Sequence, residues 1–317
     1  MSFYNDNKEL FLDPTTKQYG SHMVMTNVKK ETKVKYINID TRFRDEYNYF
    51  DPVNYNLTLP ERITDVKRMR VKSVEIPIVY YNISSQNSNN VFLITNTVTN
   101  TNYVITILDG YYSAQTLVTE INSELSKANI TDITFSIVNN KSIFTVNSGS
   151  TNTYSIRFDV NSSGLADRWN VKNKLGWTIG FRKTEAQYQT NTTYVANYNI
   201  SKTKSLTSDT FIDLNGPRYL YLAIDEFSRG NQHSFVSPIA NSLINKNVIA
   251  RIPIGNSVGF GNILSGSVEN GTLLTDKREY TGKIDILKLN IQLLNESGAN
   301  ISLYGFDFSF CLEIEHE

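Results

Sequence analysis

The sequence is short of the residues on which compact catalytic or metal sites are usually built: of its 317 residues, 1 is cysteine, 3 are histidine and 2 are tryptophan. The lone Cys311 excludes an internal disulfide framework and fits assembly in a reducing compartment. A surplus of either charge is missing too. Lys plus Arg and Asp plus Glu stand at 31 each, so net charge does not drive the chain onto a phosphate backbone or an anionic membrane. No run approaches the roughly 18 apolar residues of a membrane span. Met1 to Gly20 is polar with scattered charge and lacks the apolar core of a signal peptide, so a soluble, unsecreted chain is expected. On that reading the Asn-x-Ser/Thr triplets at Asn56, Asn82, Asn129, Asn161, Asn191 and Asn199 are unmodified.

What is present is strand-forming material. Hydrophobic residues at 40% and charged residues at 20% describe a globular chain, and 19 Tyr with 16 Phe favour strands. Ile133, Phe135 and Ile137 alternate with Asp132, Thr134 and Ser136, and Tyr154, Ile156 and Phe158 alternate with Ser155, Arg157 and Asp159. Such alternation marks strands with one buried face and one wet face. Further strands are expected at 54–59, 66–78, 91–95, 103–107 and 142–146, each bounded by turn-forming residues, and Leu220, Leu222 and Ile224 alternate as well. Leu287 to Leu293, the turn signal Asn295-Glu-Ser-Gly298 and Phe306 to Ile314 together read as a hairpin. One segment departs from the pattern: Ser113 is a candidate N-cap, and Leu117, Val118, Ile121 and Leu125 share one helical face.

These signals predict an all-β chain, a jelly-roll-type β-sandwich built as two packed sandwiches (a double jelly roll), with one short helix near 113–127. Residues 1–33 show no periodicity and read as an extended N-terminal arm. The first sandwich is expected over 34–190 and the second over 191–317, divided within the polar stretch Glu185 to Thr207.

Site chemistry is sparse. His22, His233 and His316 have no ligand spacing around them, Cys311 has no partner in sequence, and phosphate-loop and nucleophile-elbow motifs are missing. Gly255 to Gly261 lacks the strand-turn-helix setting of a phosphate cradle. The acid pairs Asp45-Glu46 and Asp225-Glu226 point to opposite faces if they lie on strands. No catalytic residue, cofactor or metal is expected. The basic cluster Arg62, Lys67, Arg68, Arg70 and Lys72 is either an electrostatic contact for nucleic acid, a membrane or an acidic partner, or the solvated face of a strand. Asp40, Arg42, Arg44 and Asp45 pose the same choice, mixed signs favouring local ion pairs or subunit contacts. The interface candidates are therefore Asp40, Arg42, Arg44, Asp45, Arg68 and Arg70.

Several segments, in order, resemble the minor capsid proteins of the nucleocytoplasmic large DNA viruses, particularly the mimivirus-like and phycodnavirus-like members. They are Lys35-Tyr-Ile-Asn-Ile-Asp40-Thr-Arg-Phe-Arg-Asp45, Asn54-Tyr-Asn-Leu-Thr-Leu-Pro60, Val71-Lys-Ser-Val-Glu-Ile-Pro77 and Leu108-Asp-Gly-Tyr-Tyr-Ser113. Lys174-Leu-Gly-Trp177, Arg218 to Phe227 and Leu303 to Glu313 continue the series. The resemblance implies a non-enzymatic, jelly-roll-based shell component without cofactor, lying under or between capsomers or at vertices. Its partners would be the major capsid protein, other minor capsid proteins and further copies of itself, with inner-membrane contact open and no specific nucleic acid. Its place would be the virion, assembled in the host cytoplasm. The second half, little more than 110 residues, is short for a full jelly roll. A receptor- or glycan-binding module and a jelly-roll glycosidase are the rival classes.

Overall fold

In the computed structural model the residues described are 31–47, 52–167, 171–182, 197–227, 247–255 and 258–317, with the backbone alone of 16–19 and 23–26. The chain opens with β1 (Thr16–Tyr19), β2 (Met23–Thr26), β3 (Lys33–Asp40), a 3-10 turn (Thr41–Phe43) and the long β4 (Asn54–Pro77). It continues through β5 (Val91–Asn96), β6 (Thr101–Thr106), α1 (Ala114–Lys127), β7 (Ile133–Val138), β8 (Lys141–Val146) and β9 (Tyr154–Arg157). Then come α2 (Leu175–Thr178), β10 (Tyr198–Ile200), β11 (Leu206–Thr207), β12 (Tyr219–Asp225) and β13 (Val248–Pro253). β14 (Ile263–Ser267), β15 (Leu274–Thr275), β16 (Arg278–Leu294) and β17 (Ser309–His316) complete it. Every strand pair is antiparallel, in keeping with the all-β, jelly-roll-type class, and α1 lies where the capping signal put it.

The contacts divide the chain into two compact units, Met1–Ile78 with Tyr219–Glu317, and Val79–Arg218. The consecutive division expected at 190/191, a point outside the described residues, is not the one the contacts draw. The reason is strand pairing: β4, near the start of the chain, is bonded to β16 and β17 at its end. The expected hairpin between 287–293 and 306–314 is a second departure. Its turn forms, with the Asn295 side chain accepting from the amides of Ser297 and Ala299. The two strands nevertheless do not pair, because β4 lies between them in the sheet order β15-β13-β12-β16-β4-β17-β3. The two strands expected at 54–59 and 66–78 are one 24-residue strand, β4, with register shifts against β16 across the stretch that contains Pro60, which has no amide to donate. Within the arm expected over 1–33, β1 and β2 pair as a short ribbon.

In the unit Val79–Arg218, the sheets β10-β9-β5-β6 and β11-β8-β7 enclose one core with α1. Leu117, Ile121 and Leu125 of α1 face that core, and the reciprocal Ser113–Thr116 capping box fixes the helix start. Asn139 and Asn140, both at positive φ, make the two-residue turn that joins β7 to β8. The middle of the core is aromatic. Phe158 stacks on Phe181 at 5.0 Å between ring centroids, and Phe144 meets Phe135 at 4.8 Å. Gly176 of α2 is required by this packing: a Cβ there would lie 2.6 Å from Phe158 Cβ.

In the other unit, β12 and β16 are joined at one end by a fully buried ion pair. Arg278 Nη1 lies 2.6 Å from Glu226, and the guanidinium also donates to the carbonyls of Ile224 and Asn247. Its carbonyl partners satisfy charge that burial would otherwise leave exposed to a low dielectric. Asn82, one of the glycosylation triplets, is buried in the first-described unit and spends its amide on the carbonyls of Tyr112 and Leu214.

Gly176→Ala is expected to lower the stability of the Val79–Arg218 unit by about 1–3 kcal/mol through overpacking against Phe158. Gly149→Ala, with nothing within 4 Å of the added Cβ, is expected to leave it unchanged. Denaturant midpoints of the two full-length variants, followed by near-ultraviolet circular dichroism, check the pair.

Candidate functional site

The basic cluster of β4 lies on the face of the sheet opposite the buried Val66, Met69, Val71, Val74 and Ile76. Those buried residues are not evenly spaced, because β4 carries register shifts against β17 at Cys311/Leu312 and Glu315/His316. Each shift inserts one residue into β4, and the inserted residues are Lys72 and Lys67. On β17 the matching face carries Glu313 and Glu315, with Glu317 just beyond the strand.

The two rows neutralise each other. Arg70 lies 2.8 Å from Glu313, Arg68 lies 2.7 Å from Glu279 and 3.3 Å from Glu315, and Lys72 reaches Glu313 at 3.4 Å and also pairs with Glu269. Lys67 and Lys283 both hold Glu317, and Lys277 holds Glu315. Counting Lys283's second partner, Asp65, six cations face six carboxylates. A surface already balanced in this way has little field left for a phosphate backbone or an anionic headgroup layer. Of the cluster, Arg62 is the outlying member, 3.7 Å from Asp285 and well exposed.

The same pairing shifts the acids. Burial works against the Glu313 charge, but the Arg70 hydrogen bond and the nearby Arg70 and Lys72 charges outweigh it and hold the carboxyl below the ordinary range. The Lys277 hydrogen bond lowers Glu315, and the Lys283 and Lys67 hydrogen bonds take Glu317 down to about 2.

The second group of candidates surrounds the 3-10 turn after β3. Asp40 caps that turn by accepting from the Arg42 amide at 2.9 Å and grips the Arg42 guanidinium at 3.0 and 2.6 Å. The hydrogen bond from the Arg42 side chain holds the Asp40 carboxyl below its usual range, against the opposing effect of burial. Arg44 is buried: it donates to the Thr41 carbonyl at 2.5 Å and to Asp307 at 2.9 Å, with its guanidinium 4.1 Å from the Tyr47 ring centre. Thr41 Oγ1 donates to the same Asp307 oxygen. Asp45 accepts from the amide and hydroxyl of Thr58.

Arg44, Asp45 and Arg70 thus serve the fold itself, while Asp40, Arg42 and Arg68 sit in local ion pairs, Arg42 with 65% of its side chain exposed. The structure also reveals residues that the charge pattern passed over. Phe43 is 74% exposed, and Val34, Tyr36, Tyr47 and Phe306 are exposed as well. Val34, Tyr36, Phe43 and Tyr47 follow one another along the edge strand and its turn. Exposed aromatic side chains on an ordered framework are typical anchors of protein contacts.

The expected chemistry candidates are dispersed. Asp225 accepts from the Phe227 amide, whereas Glu226 turns inward to Arg278. Cys311 is half-buried beside Glu75 and Glu313, and burial first, then those charges, push its thiol up, away from the reactive thiolate. His316 is on β17, while His22 and His233 lie outside the described residues. Among the described residues no group of three or more His, Cys, Asp or Glu is placed to hold a metal ion, and no helix is long and apolar enough to cross a membrane.

The sequence model of a family of unknown function, DUF5901, matches residues 22–299. No curated protein matches the sequence. Among solved structures, a crystal structure of the selenomethionine-labelled mavirus penton protein aligns over 91% of this chain and 100% of its own. Its identity is 11% and its TM-score 0.44, a likeness too distant to argue from.

Because Glu313, Glu315 and Glu317 are more acidic folded than unfolded, their contribution to stability is complete above the ordinary glutamate value of 4.5. It is lost as pH falls below that value, for Glu317 toward about 2. Glu313→Gln is expected to cost about 1–3 kcal/mol at neutral pH by leaving Arg70 without its buried partner. It is also expected to flatten the acid limb of the melting curve. Melting temperatures of both proteins between pH 7 and pH 2 check this, parallel acid limbs counting against it.

Proposed function

We propose that this chain, which belongs to the DUF5901 family, is a non-enzymatic structural virion protein: a minor component of the icosahedral capsid of a large DNA virus, bridging capsomers or forming vertices. The observation that carries the reading is the contrast on the β3–β4–β17 surface. Its charges are matched within the fold, while aromatic side chains beside them are exposed. Ion pairs consumed internally give rigidity and register, and exposed aromatics give adhesive area at low side-chain entropy.

The segments that resemble minor capsid proteins support the reading by where they fall. Lys35–Asp45 spans β3 and its turn, Asn54–Pro60 and Val71–Pro77 belong to β4, and Leu108–Ser113 leads into α1. Lys174–Trp177 reaches α2, Arg218–Phe227 covers β12, and Leu303–Glu313 enters β17. Asn54–Pro60 and Val71–Pro77 lie wholly in a strand, and Lys35–Asp45 and Arg218–Phe227 largely so or in the 3-10 turn that follows. On this reading the partners are the major capsid protein, other minor capsid proteins and further copies of the chain, met in the host cytoplasm during assembly. The balanced lattice lends no support to contact of the basic run with a membrane or nucleic acid.

A glycan-binding module is the second reading, favoured by one feature. Tyr219 and Tyr221 meet edge to face at 5.2 Å, with the Arg251 guanidinium 3.9 Å from the Tyr219 ring centre, an aromatic ledge of the kind sugars stack on.

Quantitative peptide mass spectrometry of gradient-purified particles tests both. The capsid reading expects a fixed, substoichiometric ratio of this chain to the major shell protein that survives stringent washing. Absence from particles, with glycan-array binding lost on Tyr219→Ala, would replace it with the second reading.

A further inference from the structure

We infer that the side chain of Asn122 is an edge lock: it occupies the open edge of β7 in place of a neighbouring strand and keeps a second copy of the chain from pairing there. The inference goes beyond the functional reading above and holds whether or not the chain lies in a shell. β7 ends the sheet β11-β8-β7 and, among the described residues, pairs with β8 alone. Val138 and Lys141 flank the two-residue turn, so they form a hydrogen-bonded pair, as do Ser136 with Ile143 and Thr134 with Thr145. Ile133, Phe135 and Ile137 therefore turn their backbone groups to the open edge, and Phe135 is the middle one of the three.

Both backbone groups of Phe135 are taken by one side chain. Its amide donates to Asn122 Oδ1 at 2.8 Å, and Asn122 Nδ2 donates to its carbonyl at 2.8 Å. That is the bonding a directly opposed residue of an antiparallel strand would supply. Nδ2 also donates to the Val118 carbonyl at 2.9 Å, one turn back along α1, which fixes the direction of the amide. Asparagine is a weak helix former, and this one stands inside α1 away from either cap. Its bonds to β7 are what the position gains from it.

β7 has no other guard. Edges are commonly blunted by shortness, bulges, proline or charge. β7 runs six residues in unshifted register with β8, contains no proline and no charged residue, and reads Ile-Thr-Phe-Ser-Ile-Val. An uncharged six-residue segment of high strand propensity is the kind that adds to its own copies. A strand added to β7 has to displace Asn122 to reach the middle of the ladder, and Leu117, Ile121 and Leu125 hold α1 in the core behind it.

The test uses the full chain. Asn122→Ala removes both bonds to Phe135 and favours the helix; Asn122→Leu removes them at nearly the same side-chain size and carries the test if the alanine variant does not fold. Both are expected to raise the association constant measured by sedimentation at least tenfold over wild type. Hydrogen exchange across Ile133 to Val138 is expected to run faster than in wild type in dilute solution and to slow again as concentration rises, the mark of a strand added at that edge. Adding Thr134→Lys, at an exposed position of β7, puts a charge on the edge and is expected to return sedimentation to the wild-type value. Gly176→Ala, which strains the same unit without touching the edge, controls for general destabilisation and is expected to associate as wild type does. A folded Asn122 variant that sediments as wild type at every concentration overturns the inference. So does added association that Thr134→Lys leaves in place, or that Gly176→Ala reproduces.

Discussion

Everything in the unit Met1–Ile78 with Tyr219–Glu317 depends on β4 lying between two strands supplied by the far end of the chain. Its partners β16 and β17 are separated from it by some 200 residues, so the chain must close a very long loop before β4 gains either of them. The pairing has to be worth that closure and also specify its own register, because a slip of one residue would send Val66, Met69 and Val71 to the solvent face. Burial of those residues with Leu312 and Ile314 supplies the first requirement. The charge rows supply much of the second.

Surface ion pairs are individually worth little, about 0–1 kcal/mol. Their value here is in position. Lys67 and Lys72 are the inserted residues of β4, and each finds its acid only when the bulge falls where it does. A shifted register would oppose like charges or strand the buried Glu313. The Arg278–Glu226 pair does the same for β12 and β16 in a harsher setting, since removing one member of a buried pair costs about 3–5 kcal/mol by leaving the other uncompensated. Burial and the adjacent Glu226 charge also push the Tyr280 hydroxyl upward, so this corner carries one net-neutral ion pair and no second ionised group.

Elements held by local chemistry were legible in the sequence. Alternation located β7, β9 and β12, bounding turn residues located β8, and a capping residue with a helical stripe located α1. What was illegible depends on partners far away in the chain. The turn at Asn295–Gly298 is real, but no local signal could tell that β4 would come between its flanking strands. The basic run of β4 looked like a field because its acids lie some 240 residues on, and Arg44 looked like a surface charge because Asp307, which holds it, is equally remote. Tyr36 and Phe43 escaped notice for the complementary reason: alternation marks a wet face, but whether a strand lies at an edge is decided by the whole sheet.

Those two kinds of residue, matched charges and unmatched aromatics, make most sense together. A chain with no net charge lacks the mutual repulsion that keeps many monomers apart in solution. Exposed Val34, Tyr36 and Phe43, close together in the chain, would be a hazard in a protein meant to stay alone. In a subunit that works only within a lattice the same features are useful. Each contact is weak enough to be corrected during assembly, and many together are permanent, while the internally balanced charges keep the framework rigid at every stage.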